Sequence, residues 1–166
     1  MNNIKLKKII TNNNDDCHQI NYQINYDCHL TNLLNNDKKL QLALGSKNIN
    51  ISIDEFIHTN YEWCKSTNSE LFAIVLNDAA IGTISLSKQD MVNKKSQIGY
   101  WIGSSYWNNG YTTAAFKELL NYAKSKNMKY VTAKIQENNI ASIKIWQNVG
   151  ADIKFKENYF YVALNL

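Results

Sequence analysis

The stretch Gly99-Tyr-Trp-Ile-Gly-Ser-Ser-Tyr-Trp-Asn-Asn-Gly-Tyr-Thr-Thr-Ala-Ala115 decides the fold. An extended aromatic and aliphatic run ends in a small, polar turn. The turn opens into a segment whose apolar residues recur at helical spacing. A strand, a turn and a helix start in that order aim several backbone N–H groups, backed by the helix dipole, at one point. This is how a chain without arginine can hold phosphate. Arginine is absent here: all 18 basic residues are lysine.

Outward from this junction the chain alternates between strand and helix patterns. Upstream, Leu71-Phe-Ala-Ile-Val-Leu76 reads as a buried strand, Asn77-Asp78 as a turn, and Ala80-Ile-Gly-Thr-Ile-Ser-Leu86 as the second arm of a hairpin. Ser96 to Ile102 is a third strand. Downstream, Thr112 to Lys126 is a helix with Ala115, Phe116, Leu119, Leu120, Tyr122 and Ala123 in one stripe. Lys129 to Gln136 alternates, with Val131, Ala133 and Ile135 on one side. Asn139 to Val149 is a short helix stopped by Gly150. Ala151 to Lys156 and Tyr159 to Leu164 are strands about a turn at Glu157-Asn158.

The first third is less regular. Ile4 to Ile9 begins with strand-like alternation, and Asp15-Asp16 suits a helix start. Ser52-Ile-Asp-Glu55 is a capping-box pattern, ahead of a helix through Phe56, Ile57, Tyr61 and Cys64. Residues 11–50 are otherwise polar and irregular. The order β, helices, ββ, β, α, β, α, ββ predicts an α/β (α+β) domain: a mixed, mostly antiparallel sheet with one β-α-β unit over 96–136.

Composition narrows the function classes. At 166 residues the chain is most simply one domain with a real core. No segment approaches the roughly 18–20 apolar residues that span a bilayer, and the lysine-bearing N-terminus lacks a following apolar region. A cytoplasmic protein with no membrane partner is expected. The net charge of +4 is spread thinly; Lys94-Lys95 and Lys124-Ser-Lys126 could draw in an anion. Nucleic-acid binding would need a denser basic face. Three cysteines argue against a disulfide framework. Cys17-His18 and Cys28-His29 could share a helix face, but their spacing matches no zinc pattern, so no metal is expected. Frequent asparagine and the lack of proline read as background usage.

With these motifs in place, the sequence resembles the GNAT superfamily of N-acetyltransferases, in its RimJ/RimL-like (ribosomal-protein N-terminal acetyltransferase) branch. The resemblance is good over about residues 70–155. Trp107-Asn-Asn-Gly110-Tyr-Thr112-Thr-Ala-Ala115 matches the branch's phosphate motif, and Asn139-Ile-Ala-Ser142 with Val149-Gly150 matches a second signature. The resemblance implies a GNAT fold, a sheet of about six to seven strands splayed between the fourth and fifth. Residues 1–69 would form an N-terminal strand and acceptor-side helices, and residues 70–166 the acetyl-CoA-binding core. The co-substrate would be acetyl-CoA, held by the backbone of Trp101 and Ile102, by the turn Trp107, Asn108, Asn109 and Gly110, by the N–H groups of Tyr111, Thr112 and Thr113, and by Asn139 and Ser142. Ser142 would be the catalytic residue, contacting or protonating the leaving thiolate. A backbone N–H near Ile102 would polarise the carbonyl. Taken alone, Asn139 is also a plain helix cap.

Three positions depart from the family pattern. Trp146 stands where many members have an acidic tyrosine, Gln97 where many have a glutamate on the fourth strand, and Ala114 where a glutamate often follows the phosphate loop. Glu137, Glu157 or Asp90 could act through water. Tyr61, Trp63 and Tyr100 are candidates for the acceptor wall. A site short of strong bases favours an acceptor that deprotonates easily. An α-amine near pKa 8 needs about 1.4 kcal/mol at pH 7, and a lysine amine near 10.4 about 4.6 kcal/mol. The expected reaction is acetyl transfer to a protein or peptide N-terminus. A small amine (aminoglycoside, polyamine or amino acid) and a non-catalytic coenzyme-A-binding regulator stay open, and so does a homodimer formed by strand edges.

Overall fold

The structure is a computed structural model that describes residues 4–9 and 17–166, with side chains from residue 26 onward in the longer segment. Seven strands form one sheet: β1 (Ile4–Lys8), β2 (Glu70–Leu76), β3 (Ala79–Asp90), β4 (Lys95–Ile102), β5 (Tyr130–Gln136), β6 (Asp152–Lys156) and β7 (Tyr159–Asn165). Their order is β1-β2-β3-β4-β5-β7-β6. Every neighbouring pair is antiparallel except β4–β5. The helices among the described residues are α1 (Cys17–Asn36), α2 (Lys38–Ala43), α3 (Ile53–Thr67), α4 (Tyr111–Ser125) and α5 (Ile140–Asn148). The expected mixed α/β architecture is the one observed.

Strand β2 explains the layering. Leu71, Ala73 and Val75 face one side and pack with Leu30, Leu34, Leu40 and Phe56 of α1–α3. Phe72 and Ile74 face the other side and pack with Phe116 and Leu119 of α4. Helices cover both faces, so the strand is apolar throughout instead of alternating. The tight turns follow from local chemistry. Asn77-Asp78 and Glu157-Asn158 both carry two successive positive φ angles, as a two-residue hairpin turn demands. Ser52 and Glu55 close a reciprocal capping box at the start of α3. On α4, Ala115, Phe116, Leu119, Leu120 and Ala123 are buried. Tyr122 departs from the stripe: it is half-buried and donates its hydroxyl to Glu70 Oε1 at 2.9 Å.

The structure also differs from the sequence reading. Much of the stretch read as irregular is helical, in α1 and α2, and Asp37 starts α2 by accepting the Leu40 N–H at 3.0 Å. The helix start expected at Asp15-Asp16 lies outside the described residues. Strand β3 runs four residues past Leu86, because its ladder with β4 resumes at Asp90↔Lys95 after an irregularity.

One feature of the sheet creates the site. β4 and β5 pair only at Lys95↔Tyr130, Ser96↔Val131 and Gln97↔Thr132. Beyond Gln97, β4 stays on β3 as far as Ile102, and β5 stays on β7 over its full length. Each strand is held by its outer neighbour, so the two diverge. The sheet opens into a V at the C-terminal end of β4.

Candidate active site

The V holds a cleft of about 430 Å³, within the usual range for small-molecule sites. Its lining brings together Trp101, Ile102, Trp107, Asn108, Thr112, Asn139 and Ser142 from the sequence-based set. Asn109, Gly110, Tyr111 and Thr113 do not line it; they stand beside it, at the start of α4.

The open edge of β4 is polar. Gly103 N–H donates to Ile81 C=O at 2.9 Å, and Trp101 lies opposite Thr83. Hydrogen-bonded pairs alternate along an antiparallel ladder. The Trp101 backbone is therefore committed to β3, whereas the backbone groups of Tyr100 and Ile102 turn into the V. The Ile102 carbonyl is already taken by the Trp107 indole N–H at 2.9 Å. What faces the cleft is an N–H at Ile102 and a free strand edge at Tyr100, able to pair with amides of an extended ligand.

The start of α4 leaves its backbone donors uncapped. Gly110 is the N-cap, with φ +77° and no side-chain cap bond. The first intrahelical bond runs from Ala114 N–H to the Gly110 carbonyl, so the N–H groups of Tyr111, Thr112 and Thr113 have no partner within the helix. A Cβ on Gly110 would meet nothing within 4 Å, which leaves open space where phosphate oxygens could approach. The lysine pairs are not part of this cradle. Lys124 and Lys126 lie at the far end of α4, with Lys126 3.6 Å from Glu70. Lys95 is at the remote end of β4, 3.9 Å from Asp90. Seven strand steps, about 23 Å, separate it from Ile102 at the end of β4.

Across the V, Asn139 caps α5 by accepting the Ser142 N–H on Oδ1 at 3.1 Å. This sets Ser142 in the first turn, largely buried but reaching the cleft. Trp146, one turn on, is fully buried and packs edge-on against Phe116 with ring centroids 5.0 Å apart. Tyr100 lines the same cleft and packs against Phe116, on the side of α4 and α5, so it belongs with Ser142 and not with a wall built by the N-terminal helices. Tyr61 and Trp63 do not line the cleft. Gln97 is exposed where β4 still pairs with β5, and Ala114 packs at the edge of the core. Of the carboxylates considered as bases, Asp90 ends β3 beside Lys95, and Glu157 lies in the turn between β6 and β7 beside Lys156. Glu137 alone adjoins lining residues, between Gln136 and Asn138.

Helix α2 is the wall that the sequence reading missed. Leu40, Leu42, Ala43 and Leu44 line the cleft, Leu42 and Leu44 being exposed at its mouth. Asp37 fastens this wall to the turn after β4, accepting the Ser104 N–H at 2.5 Å and the Ser104 hydroxyl at 2.7 Å. Burial alone would raise the Asp37 pKa; these bonds and the Leu40 N–H outweigh it and hold the carboxyl below its ordinary value. The only local signal was Asp37 itself, an N-cap ahead of a helix too short to show periodicity.

No group of three or more His, Cys, Asp or Glu gathers among the described residues. Cys28 is exposed, and His29 Nδ1 accepts the Ala80 N–H at 3.2 Å. The Cys17 and His18 side chains lie outside the described residues. No helix among the described residues is long and apolar enough to cross a membrane.

Residues 27–152 of the chain match a known family, described as acetyltransferase (GNAT) domain. The chain belongs to the GNAT acetyltransferase family. It is 32% identical over 77 residues to the uncharacterized N-acetyltransferase p20 of Bacillus licheniformis, covering 45% of this chain and 43% of that protein. It is 30% identical over 78 residues to a ribosomal-protein-serine acetyltransferase of Escherichia coli, covering 46% and 44%. The matches thus span less than half the length of these relatives. Among solved structures, RimL, a ribosomal alpha-N-protein acetyltransferase, superposes with a TM-score of 0.71 at 15% identity, covering 98% of this chain and 89% of that one. A microcin self-immunity acetyltransferase, MccE, in complex with acetyl-CoA and AMP, gives 0.70 at 20% identity, covering 86% and 88%. These two likenesses concern the fold, and they agree with the GNAT topology.

Proposed function

We propose that this GNAT domain is an acetyl-CoA-dependent N-acetyltransferase that acts on the α-amine of a protein or peptide N-terminus, with both substrates bound together. The observation that carries the coenzyme part is the V itself: a free β4 edge at Tyr100 and Ile102 runs into the uncapped start of α4. An extended amide-bearing arm ending in a pyrophosphate fits that sequence of donors and acceptors. The residues to hold it are Ile102, Trp107, Asn108, Gly110, Tyr111, Thr112 and Thr113, with Trp101, Asn109, Asn139 and Ser142 around them.

When bound, acetyl-CoA supplies an activated acyl group: the amine nitrogen bonds the acetyl carbon, the carbon–sulfur bond breaks with its electron pair on sulfur, and the proton nitrogen loses balances the one sulfur gains. The chain's own part is to bind, orient and stabilise charge. The Ile102 N–H is the donor for the carbonyl oxygen, and the Ser142 hydroxyl the donor for sulfur. Among the described residues, no Asp, Glu or His lines the cleft, which favours an α-amine over a lysine amine by about 3 kcal/mol at pH 7. The E. coli relative and RimL, both named for ribosomal proteins, support the protein-acceptor reading.

The test is thiol release from acetyl-CoA with the pure protein and a panel of N-terminal peptides, aminoglycosides and polyamines. Acetylation of a peptide α-amine ahead of every small amine is the expected result. Turnover confined to small amines would refute the acceptor assignment. Coenzyme binding with no turnover over the whole panel would refute catalysis and favour a regulator, the reading suggested by the hydroxyl-free Trp146.

A further inference from the structure

Tyr100, Ser142 and Trp146 form a polar cluster at the base of the cleft that the reading above leaves half used. Tyr100 comes from β4 and the other two from consecutive turns of α5, and Tyr100 and Ser142 line the cleft. The Tyr100 ring lies edge-on to Phe116 at 6.1 Å, and Phe116 edge-on to Trp146 at 5.0 Å. Aromatic packing thus fixes where both polar tips sit. The phenolic oxygen and the indole nitrogen are each buried without a hydrogen-bond partner, and Trp146 is 0% exposed. Such orphans are rare in folded proteins and call for an explanation.

The two orphans are close in space. Burial raises the Tyr100 pKa, and the neighbouring Ser142 and Trp146 side chains partly offset the rise. Their approach falls short of formed hydrogen-bond geometry, so the cluster is assembled but not closed. The donor and acceptor inventory then sets a direction. An indole N–H can only donate, so the phenolic oxygen is its acceptor. When the cluster closes, the phenolic O–H would take Ser142 Oγ as its acceptor. That would leave the Ser142 O–H for the cleft, since the Ser142 backbone N–H is already held by Asn139.

We propose that Tyr100, backed by the Trp146 indole, is a positioning residue that aims the Ser142 hydroxyl proton into the cleft, toward the sulfur of a bound coenzyme A. The proposal rests on the coenzyme A reading of the cleft and deepens it. The cluster stabilises negative charge on sulfur by hydrogen bonding and gives up no proton of its own. Tyr100 acts only through Ser142.

The test compares calorimetric binding of coenzyme A and of its desulfo analogue between pH 6.5 and 9.5. In the wild type, the preference for the thiol rises about tenfold across this range, because one pH unit of thiolate stabilisation is a tenfold change in affinity. Tyr100→Phe keeps the ring against Phe116 and loses most of the rise. Ser142→Ala abolishes it, and adding Tyr100→Phe to Ser142→Ala changes nothing further. In turnover, Tyr100→Phe lowers kcat about tenfold and leaves KM for acetyl-CoA unchanged. A Tyr100→Phe profile equal to wild type overturns the proposal, as does any added effect in the Ser142→Ala background. A wild type that binds both compounds with a flat profile overturns this proposal alone. A wild type that binds neither overturns the coenzyme reading, and this one with it.

Discussion

Asp27 offers the sharpest test of the packing of α1 against the sheet. It lies on α1, only 3% exposed, and burial pushes its carboxyl from 3.8 up to about 7. The native state therefore holds a proton that the unfolded chain releases near pH 4. Stability from this group is fully present below 3.8, declines as pH rises, and is gone above about 7. The interval between the two values corresponds to about 4 kcal/mol. Side-chain relaxation and water penetration around a carboxylate reduce such penalties, so roughly 2–4 kcal/mol is the realised range. Asp27→Asn keeps the shape and removes the charge. Urea unfolding at pH 4, 5.5, 7 and 8 should find the variant equal to wild type at pH 4 and more stable by roughly 2–4 kcal/mol at pH 8. In a chain of this size that raises Tm by on the order of 5–10 °C. A stability gap that does not change with pH would refute the reasoning, and so would a variant weaker than wild type at pH 8.

Other perturbations probe the site. Gly110→Asp adds bulk and negative charge at a residue with φ +77°, and should cut coenzyme A affinity by more than about tenfold in calorimetry; retained affinity would remove α4 from the anion site. In Gly82→Ala the new Cβ would overlap the Trp101 carbonyl oxygen and come to 2.7 Å from Ile102 Cα, exactly where β4 enters the V. Overpacking of this kind should cost about 1–3 kcal/mol in urea titration. Asp37→Ala removes the cap of α2 and the anchor of Ser104, and should destabilise by about 2 kcal/mol while raising KM for the acceptor; an unchanged KM would show that α2 is not an acceptor wall. Ser52→Ala opens the capping box of α3 and should cost about 1 kcal/mol with turnover untouched.

What was legible along the chain were the elements whose signals are local. The apolar run of β2, the Asn77-Asp78 turn, the capping box at Ser52 and the glycine stop at Gly150 each rest on neighbours within a few residues, and each stands where the pattern put it. The strand-turn-helix junction over 99–115 belongs with them. Helix α2 was not legible, because six residues carry less than two turns of periodicity and its Leu42 and Leu44 stay exposed. The surroundings of Tyr100 were not legible either. Its neighbours Phe116, Ser142 and Trp146 are distant in sequence and meet it only through the packing of α4 and α5 on β4.

The sequence by itself determined where strands and helices begin, because caps, turns and periodicity act over one or two turns of chain. It also determined that a glycine-led helix start follows β4. Tertiary structure alone decided that β4 and β5 part after Gln97, since that depends on β3 and β7 competing for their outer edges. It also decided that Asp37 ties α2 to Ser104, 67 residues away. The cleft exists because of these long-range pairings, and no local stretch of chain encodes them.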